Sequence, residues 1–407
     1  MYKNSYGAGR YVVNLRVFQT MLHILLIPSW YPRHKGDVHG VFFRDQALAL
    51  AARKHKVGVA APEVIAFKNF LQGKGFTNII KRENDEGVVT YRQQMLSFLP
   101  RIPYGYYLSW QLALDFLFKK YVRSHGMPDL IHAHSALFAG AGAIRLKKKF
   151  KIPCVLTEHS SAFARRKIES WKLRLAKKVI LASDVRIAVS PQLGPLVSRT
   201  LSLDINDWVW IPNIAASRFS PDIDQGSNAK KGIRFLNLAL MDENKGQLDL
   251  IEAFARAFAG RLDAELLIGG DGPLKTRLQE KAEEKGVSGQ VHFLGLVRPD
   301  KVPDLLRNAD VVVVASHYET FGLVAAEALM CGTPVVATRC GGPECIVTDR
   351  DGLLVPVNDP EEMAKALLRI VDRLRLLNKK EIANRARELF SAEAVGRQLE
   401  GVYRNLT

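Results

Sequence analysis

Glu319-Thr-Phe-Gly-Leu-Val-Ala-Ala-Glu327 sets two carboxylates around a glycine, between an apolar run and a helical pattern. Before it, Asp310-Val-Val-Val-Val-Ala-Ser316 is an unbroken β-branched stretch, as in a parallel strand covered on both faces. After it, Gly322 to Met330 reads as a helix that ends near Cys331-Gly332. Glu327 then sits inside the helix while Glu319 lies in the loop before it, so the two acids need not share a face or a task. Backbone N–H groups around Phe321, Gly322 and Leu323 would form a helix N-terminus, an anion site suited to a diphosphate, with Gly322 permitting close approach to the backbone. A carboxylate one or two turns deeper can accept hydrogen bonds from ribose hydroxyls. Equally, Glu319 can cap the helix and Glu327 can form a salt bridge on its outer face. Spacing by itself does not choose.

Other residue sets invite the same question. Lys245-Gly246 follows a strand and the acidic loop Met241-Asp242-Glu243-Asn244, where a lysine puts a point charge on a phosphate or simply enters a helix in solvent. Two glycine loops, Gly269-Gly270-Asp271-Gly272-Pro273 and Gly341-Gly342-Pro343-Glu344, also follow strands. The first lacks G-x-G-x-x-G spacing, which argues against an NAD-dependent dehydrogenase. In the first half, the loop from Gly36 to Gly40 precedes a helix containing Phe43, Arg44 and Gln46, and is able to wrap a phosphate or sugar or merely to connect two elements. His159, within Thr157-Glu158-His159-Ser160-Ser161, falls just past a strand's carboxyl end, where functional groups collect. His132 and His134 read as structural.

The elements that must position these residues alternate along the chain. Strand patterns at Leu22 to Ile27, Val57 to Ala61, Leu130 to His132, Val155 to Thr157 and Val185 to Val189 are interleaved with helices, and so are those at Ile233 to Leu240, Glu265 to Ile268, Val291 to Phe293, Val311 to Ala315 and Val335 to Thr338. This predicts an α/β protein of two doubly wound, Rossmann-like sheets facing across a cleft, with ligands beyond the strands' carboxyl ends. The boundary falls at Trp210-Ile211-Pro212-Asn213, ahead of the polar stretch Ser220 to Lys231. The expected division is an N-terminal extension (1–20), a first domain (21–212), a second domain (213–390) and a last helix (391–407) whose apolar residues are Val395, Leu399, Val402 and Leu406.

At 407 residues and 47% hydrophobic composition the chain can bury sizeable cores. Its four cysteines show neither C-x2-C pairing nor zinc spacing, so a disulfide framework or structural metal is not indicated and a cytoplasmic setting fits. No apolar run reaches the roughly 18 residues that a membrane span needs. The net charge of +17 is unevenly divided: residues 1–212 carry 32 Lys and Arg against 13 Asp and Glu, the remainder 26 against 28. Basic groups cluster at Lys119-Lys120, Lys147 to Lys151 and Arg165 to Lys178. In the last, Ile168, Trp171, Leu175 and Val179 recur at helical spacing, giving either a basic helix for an anionic membrane or a packed helix with a solvated face. No nucleic-acid-binding signature accompanies the charge.

From about Met21 to the C-terminus the chain resembles the family 4 retaining glycosyltransferases of the GT-B fold, the type that builds bacterial cell-surface polysaccharide. The resemblance implies transfer of a sugar from a nucleoside-diphosphate donor, a UDP- or GDP-sugar, to a hydroxyl acceptor, for which a lipid-linked saccharide at the cytoplasmic membrane face is the expectation. It implies no cofactor and no metal. It places Glu319 at the transferred sugar, Glu327 at the ribose, and Lys245 at the diphosphate. Main chain near Phe321, Gly322 and Leu323 joins them, Gly270 shapes the nucleotide pocket, and Gly342 and Gly40 face the donor. His159 stands beside the transferred sugar, and the last helix crosses back onto the first domain. The chain departs from the family at Leu240, where an arginine is usual five residues before the lysine. Arg339 or a first-domain lysine is a candidate substitute. A nucleotide-sugar epimerase of the same fold, or a non-catalytic nucleotide-sugar-binding subunit, are the alternative readings.

Overall fold

Short β-branched and leucine-rich runs, each closed by a glycine- or polar-rich turn, build two separate sheets. The computed structural model describes residues 21–34, 36–37, 39–65, 79–97, 102, 104–165, 168–221, 232–261 and 263–407. The expected N-terminal extension and most of the polar stretch after Ser220 lie outside these residues. In the first sheet β1 (His23–Pro28), β2 (Lys56–Ile65), β3 (Ile80–Asp85), β4 (Val88–Leu96), β5 (Leu130–His134), β6 (Cys154–Glu158), β7 (Val185–Ala188) and β8 (Val209–Trp210) run in the order β3-β4-β2-β1-β5-β6-β7-β8. In the second, β9 (Ile233–Leu238), β10 (Ala264–Gly269), β11 (Val291–Gly295), β12 (Val311–Val314), β13 (Val335–Thr338) and β14 (Gly352–Val355) run β11-β10-β9-β12-β13-β14. Every described pairing is parallel except β3 with β4. The fold is therefore α/β with two doubly wound sheets.

Strand order reverses at β1/β5 in one sheet and at β9/β12 in the other, and a reversal opens the crevice in which ligands sit. The loops at these two points carry Gly40, Lys245 and Glu319, and that after β6 carries His159.

The hairpin β3–β4 is absent from the sequence reading. β3 reads Ile-Lys-Arg-Glu-Asn-Asp, is mostly solvated, and closes the sheet as a charged edge, so it carries no apolar alternation to detect. Its turn places Glu86 and Gly87 at φ 51° and 95°. The basic helix also differs from the membrane-facing option. In Ser170–Ala182, Val179 is buried, and Ile168 and Leu175 pack against the core, so its apolar side is taken by the protein itself. All four cysteines are free.

The helix Ala392–Arg404 packs on the helix Val41–Ala52 of the first sheet's layer. Val395, Leu399 and Tyr403 join a buried cluster with Ile24, Phe43 and Leu50. Arg53 Nε donates to Glu400 at 2.8 Å, and the Tyr403 hydroxyl meets His132 Nδ1 at 2.7 Å. Removing a fully buried leucine side chain costs about 2–5 kcal/mol. Leu399→Ala should therefore lower the thermal midpoint by several degrees in scanning calorimetry, whereas Leu376→Ala, at an 83% exposed position, should leave it unchanged.

Candidate active site

Lys245 and Glu319 meet because the loops that follow β9 and β12 are neighbours at the strand reversal. Lys245 Nζ lies 2.7 Å from Glu319 Oε1, and Ser316 Oγ donates to the same oxygen at 2.8 Å. Asn244 stitches the loops together, donating to Tyr318 O at 3.0 Å and accepting from His317 N at 2.7 Å. Gly246 stands at φ 61°, and a Cβ there would be 2.0 Å from Ala315 O, so only glycine lets the next helix start this close to β12.

A third loop completes the frame. The Glu319 N–H donates to Cys340 O at 3.0 Å, and the Gly342 N–H donates to Glu319 O at 2.8 Å. A Cβ on Gly342 would fall 2.2 Å from Phe321 O, so the approach of the two loops requires the missing side chain. Gly270, at φ 137°, likewise lies against Ala239 O, between the ends of β9 and β10.

The helix Leu323–Met330 begins at Gly322, which is left-handed at φ 89°. The N–H groups of Phe321, Gly322, Leu323 and Val324 have no acceptor among the described residues, which leaves an open anion site. Phe321 contributes only main chain, because its ring is buried against Phe390 at 5.8 Å. Leu240 is 65% exposed after β9, and Arg339 is exposed after β13.

Glu327 is partly buried and finds no hydrogen-bond partner among the described residues. Burial pushes its carboxyl up to about 8, with Arg218 pulling down and Asp45 pushing up. Asp45, on the helix Val41–Ala52, is itself raised to about 6 by burial against the pull of Arg218 and Arg44. Asp45, Arg218 and Glu327 thus form one electrostatic group drawn from the first lobe, the connecting segment and the second lobe. Sequence reasoning missed Asp45 and Arg218, since no local spacing links positions so far apart.

On the first lobe Gly40 caps its helix at φ 80°, where a Cβ would fall 2.9 Å from the Trp30 ring. His159 is 6% exposed, packs on Phe42 and Phe43, and shares a 3.1 Å hydrogen bond between its Nε2 and His134 Nδ1. Burial holds it near 3, helped by repulsion from His132, so the ring is neutral at physiological pH. Asn213 lies close enough to favour the charged form, yet His159 Nδ1 is buried and makes no hydrogen bond of ordinary geometry. The preceding Glu158 is fully buried and accepts from the N–H groups of Ala136, His159 and Ser160. Burial raises the Tyr318 hydroxyl to about 12, with smaller contributions from Cys340, Glu319 and Glu158.

A positive helix end, a lysine and several acids thus lie between two Rossmann-like lobes. Residues 220–388 match the family model described as Glycosyl transferases group 1, and residues 39–214 match Glycosyltransferase Family 4. The chain is 31% identical over 305 residues to a D-inositol 3-phosphate glycosyltransferase of Corynebacterium jeikeium, covering 68% of this chain and 72% of that one. It superposes on sucrose-phosphate synthase of Thermosynechococcus elongatus with TM-score 0.75 at 23% identity, covering 94% and 99% of the two chains. Against Anabaena HepE in complex with UDP the TM-score is 0.70 at 19% identity, covering 94% and 100%. The chain belongs to the family 4 glycosyltransferases of the GT-B fold.

The environment of Glu327 has a thermal signature. Its carboxyl holds a proton more tightly folded than unfolded, so stability is lost as pH rises from its ordinary 4.5 through about 8. Without ligand, Glu327→Gln should melt above wild type at pH 8.5, and the gap should close at pH 4.5. Equal gaps at both pH values would count against this environment.

Proposed function

We propose that the enzyme moves a hexose from a UDP- or GDP-sugar to a hydroxyl of a lipid-linked saccharide, with retention of anomeric configuration. The observation that carries the reading is the Lys245–Glu319–Ser316 contact beside four unpaired N–H groups at the β9/β12 reversal. In the reaction the bond from the anomeric carbon to the diphosphate breaks, and a bond to the acceptor oxygen forms on the same face of the ring. The acceptor proton passes to the departing phosphate oxygen. Lys245 and the helix end near Gly322 offset the charge that develops on the diphosphate. Glu319 orients the sugar and Glu327 the ribose hydroxyls, with Gly270 and Gly342 leaving room for the donor. Neutral His159 offers a hydrogen bond to a sugar hydroxyl. Lobe closure would exclude water and limit hydrolysis.

A lipid-borne acceptor is supported by an unusual surface. On the helix Gly105–His125, Leu108, Leu112 and Phe116 lie four residues apart and are 43%, 43% and 50% exposed. The next exposed turn carries Lys119, Lys120 and Arg123. A solvent-facing helix is ordinarily polar outside, so an apolar stripe leading into a basic turn suits the interface of an anionic bilayer. Each such basic residue near the surface adds roughly 1 kcal/mol of attraction. No described helix is long and apolar enough to cross a membrane.

A thermal-shift panel of UDP-, GDP- and ADP-sugars and NAD tests the donor side. Ligand at a hundred times its dissociation constant adds about 2.7 kcal/mol to the native state. One nucleotide class should raise the midpoint of wild type and not of Glu327→Ala; product NMR should then show the donor's anomeric configuration preserved. No shift with any nucleotide sugar would favour the non-catalytic reading, for which exposed Leu240 in place of the arginine would be the cause, and product formed without acceptor would favour an epimerase. For the membrane side, anionic vesicles should sediment wild type and release Leu112→Glu/Phe116→Glu. Equal, negligible binding to anionic and neutral vesicles would remove the bilayer from the scheme.

A further inference from the structure

The carboxylate of Glu158 lies at the end of β6 with 0% exposure, and the donor assignments give it no task. Its two oxygens divide their partners between two loops. Oε1 accepts from the N–H groups of His159 at 2.9 Å and Ser160 at 2.7 Å, in the loop that follows β6. Oε2 accepts from the N–H of Ala136 at 2.8 Å, in the turn that follows β5. Burying a carboxylate is expensive, and the three donors offset only part of that cost: burial pushes the carboxyl up while the three bonds pull it down.

The turn after β5 does not hold its own shape. Ser135 sits at φ 76°, ψ 137° and Phe138 at φ 53°, ψ −71°, and neither is glycine. Such angles persist only where neighbours impose them. Ser29 Oγ donates to His134 O at 3.0 Å and to Leu137 O at 2.9 Å, Gln111 Nε2 donates to Phe138 O at 3.0 Å, and Glu158 takes the Ala136 N–H. Of these three side chains, only Glu158 also binds the loop after β6. It therefore fixes the end of β5 relative to the end of β6, the two strand ends whose His134 and His159 rings share the 3.1 Å hydrogen bond. The main chain of His159 is held by Glu158 and its ring by His134, two residues before the bridged turn. A shift of either loop would turn the imidazole.

We propose that Glu158 is a positioning residue of the transfer site: it locks the loops after β5 and β6 together and so fixes His159 against the transferred sugar. This rests on the reading of His159 given above and deepens it, since it names the side chain through which that histidine is preorganised.

Glutamine is the informative replacement. It keeps the shape but has one acceptor oxygen, so its NH2, itself a donor, must face either Ala136 or the His159 and Ser160 pair. The test compares wild type, Glu158→Gln, His159→Ala and the double variant by isothermal titration calorimetry. The probes are the nucleotide sugar that the donor panel selects and the free nucleoside diphosphate of the same base. A hydrogen bond from His159 reaches only the sugar, so affinity for the nucleotide sugar should fall about fivefold or more in each single variant, while affinity for the free diphosphate stays within about twofold. Because Glu158 acts through His159, the double variant should bind no more weakly than His159→Ala. Should Glu158→Gln not fold, Glu158→Asp takes its place, since one methylene shorter it keeps the charge but not the reach. Unchanged nucleotide-sugar affinity in Glu158→Gln beside a weakened His159→Ala, equal loss of both probes, losses that add in the double variant, or failure of both Glu158 variants to fold would overturn the positioning role alone. An unchanged His159→Ala would overturn it together with the reading of His159. If wild type binds no nucleotide sugar, it is the underlying donor reading that fails.

Discussion

Two main-chain hydrogen bonds on Glu319 govern the loops at the β9/β12 reversal of the second lobe. Its N–H reaches Cys340 O and its carbonyl accepts from Gly342, so the loops after β12 and β13 are locked edge to edge. The lock works because Gly342 has no side chain to strike Phe321. Once the backbone of Glu319 is fixed, its carboxylate has little freedom, and Ser316 and Lys245 settle on one of its oxygens. Such preorganisation is what transition-state stabilisation needs, because the groups are in place before charge develops. The open N–H groups of the following helix are held by the same frame.

Against this rigidity stands a costly electrostatic arrangement between the lobes. Asp45 and Glu327 are both raised by burial, and Arg218 only partly offsets the loss of water. An acid kept in such surroundings lowers stability at neutral pH, and sites that bind polar ligands commonly bear this burden. In the proposed reading, hydroxyl groups of a bound ribose supply the hydrogen bonds that Glu327 lacks. Because Asp45, Arg218 and Glu327 come from three parts of the chain, any relative movement of the lobes alters their environment.

The far end of the chain is tied to the same region through a row of buried rings. Tyr403 bonds His132, His132 stacks on His134 at 4.2 Å, and His134 bonds His159. Burial keeps His132, His134 and His159 neutral, so the row transmits position rather than charge. The terminal helix is therefore a support for the wall that carries His159.

The sequence by itself determined the two doubly wound sheets, the loops that bear Lys245, His159 and Glu319, and the helix that bears Glu327. Parallel strands buried on both faces must read as unbroken apolar runs, and their carboxyl ends must be followed by turn residues, so both signals are local and survive in one dimension. The edge strand β3 escaped because a solvated, charged strand needs no apolar period. The apolar side of Ser170–Ala182 was visible, but whether it faced lipid or core depended on which helix lay beside it. Leu108, Leu112 and Phe116 presented the opposite ambiguity: in a helix apolar nearly all round, only packing decides which face is left outside. The grouping of Asp45, Arg218 and Glu327, and the bridge from Glu158 to Ala136, were settled by tertiary structure alone. Both arise from contacts between segments far apart in the chain, where no periodicity connects one residue to the next.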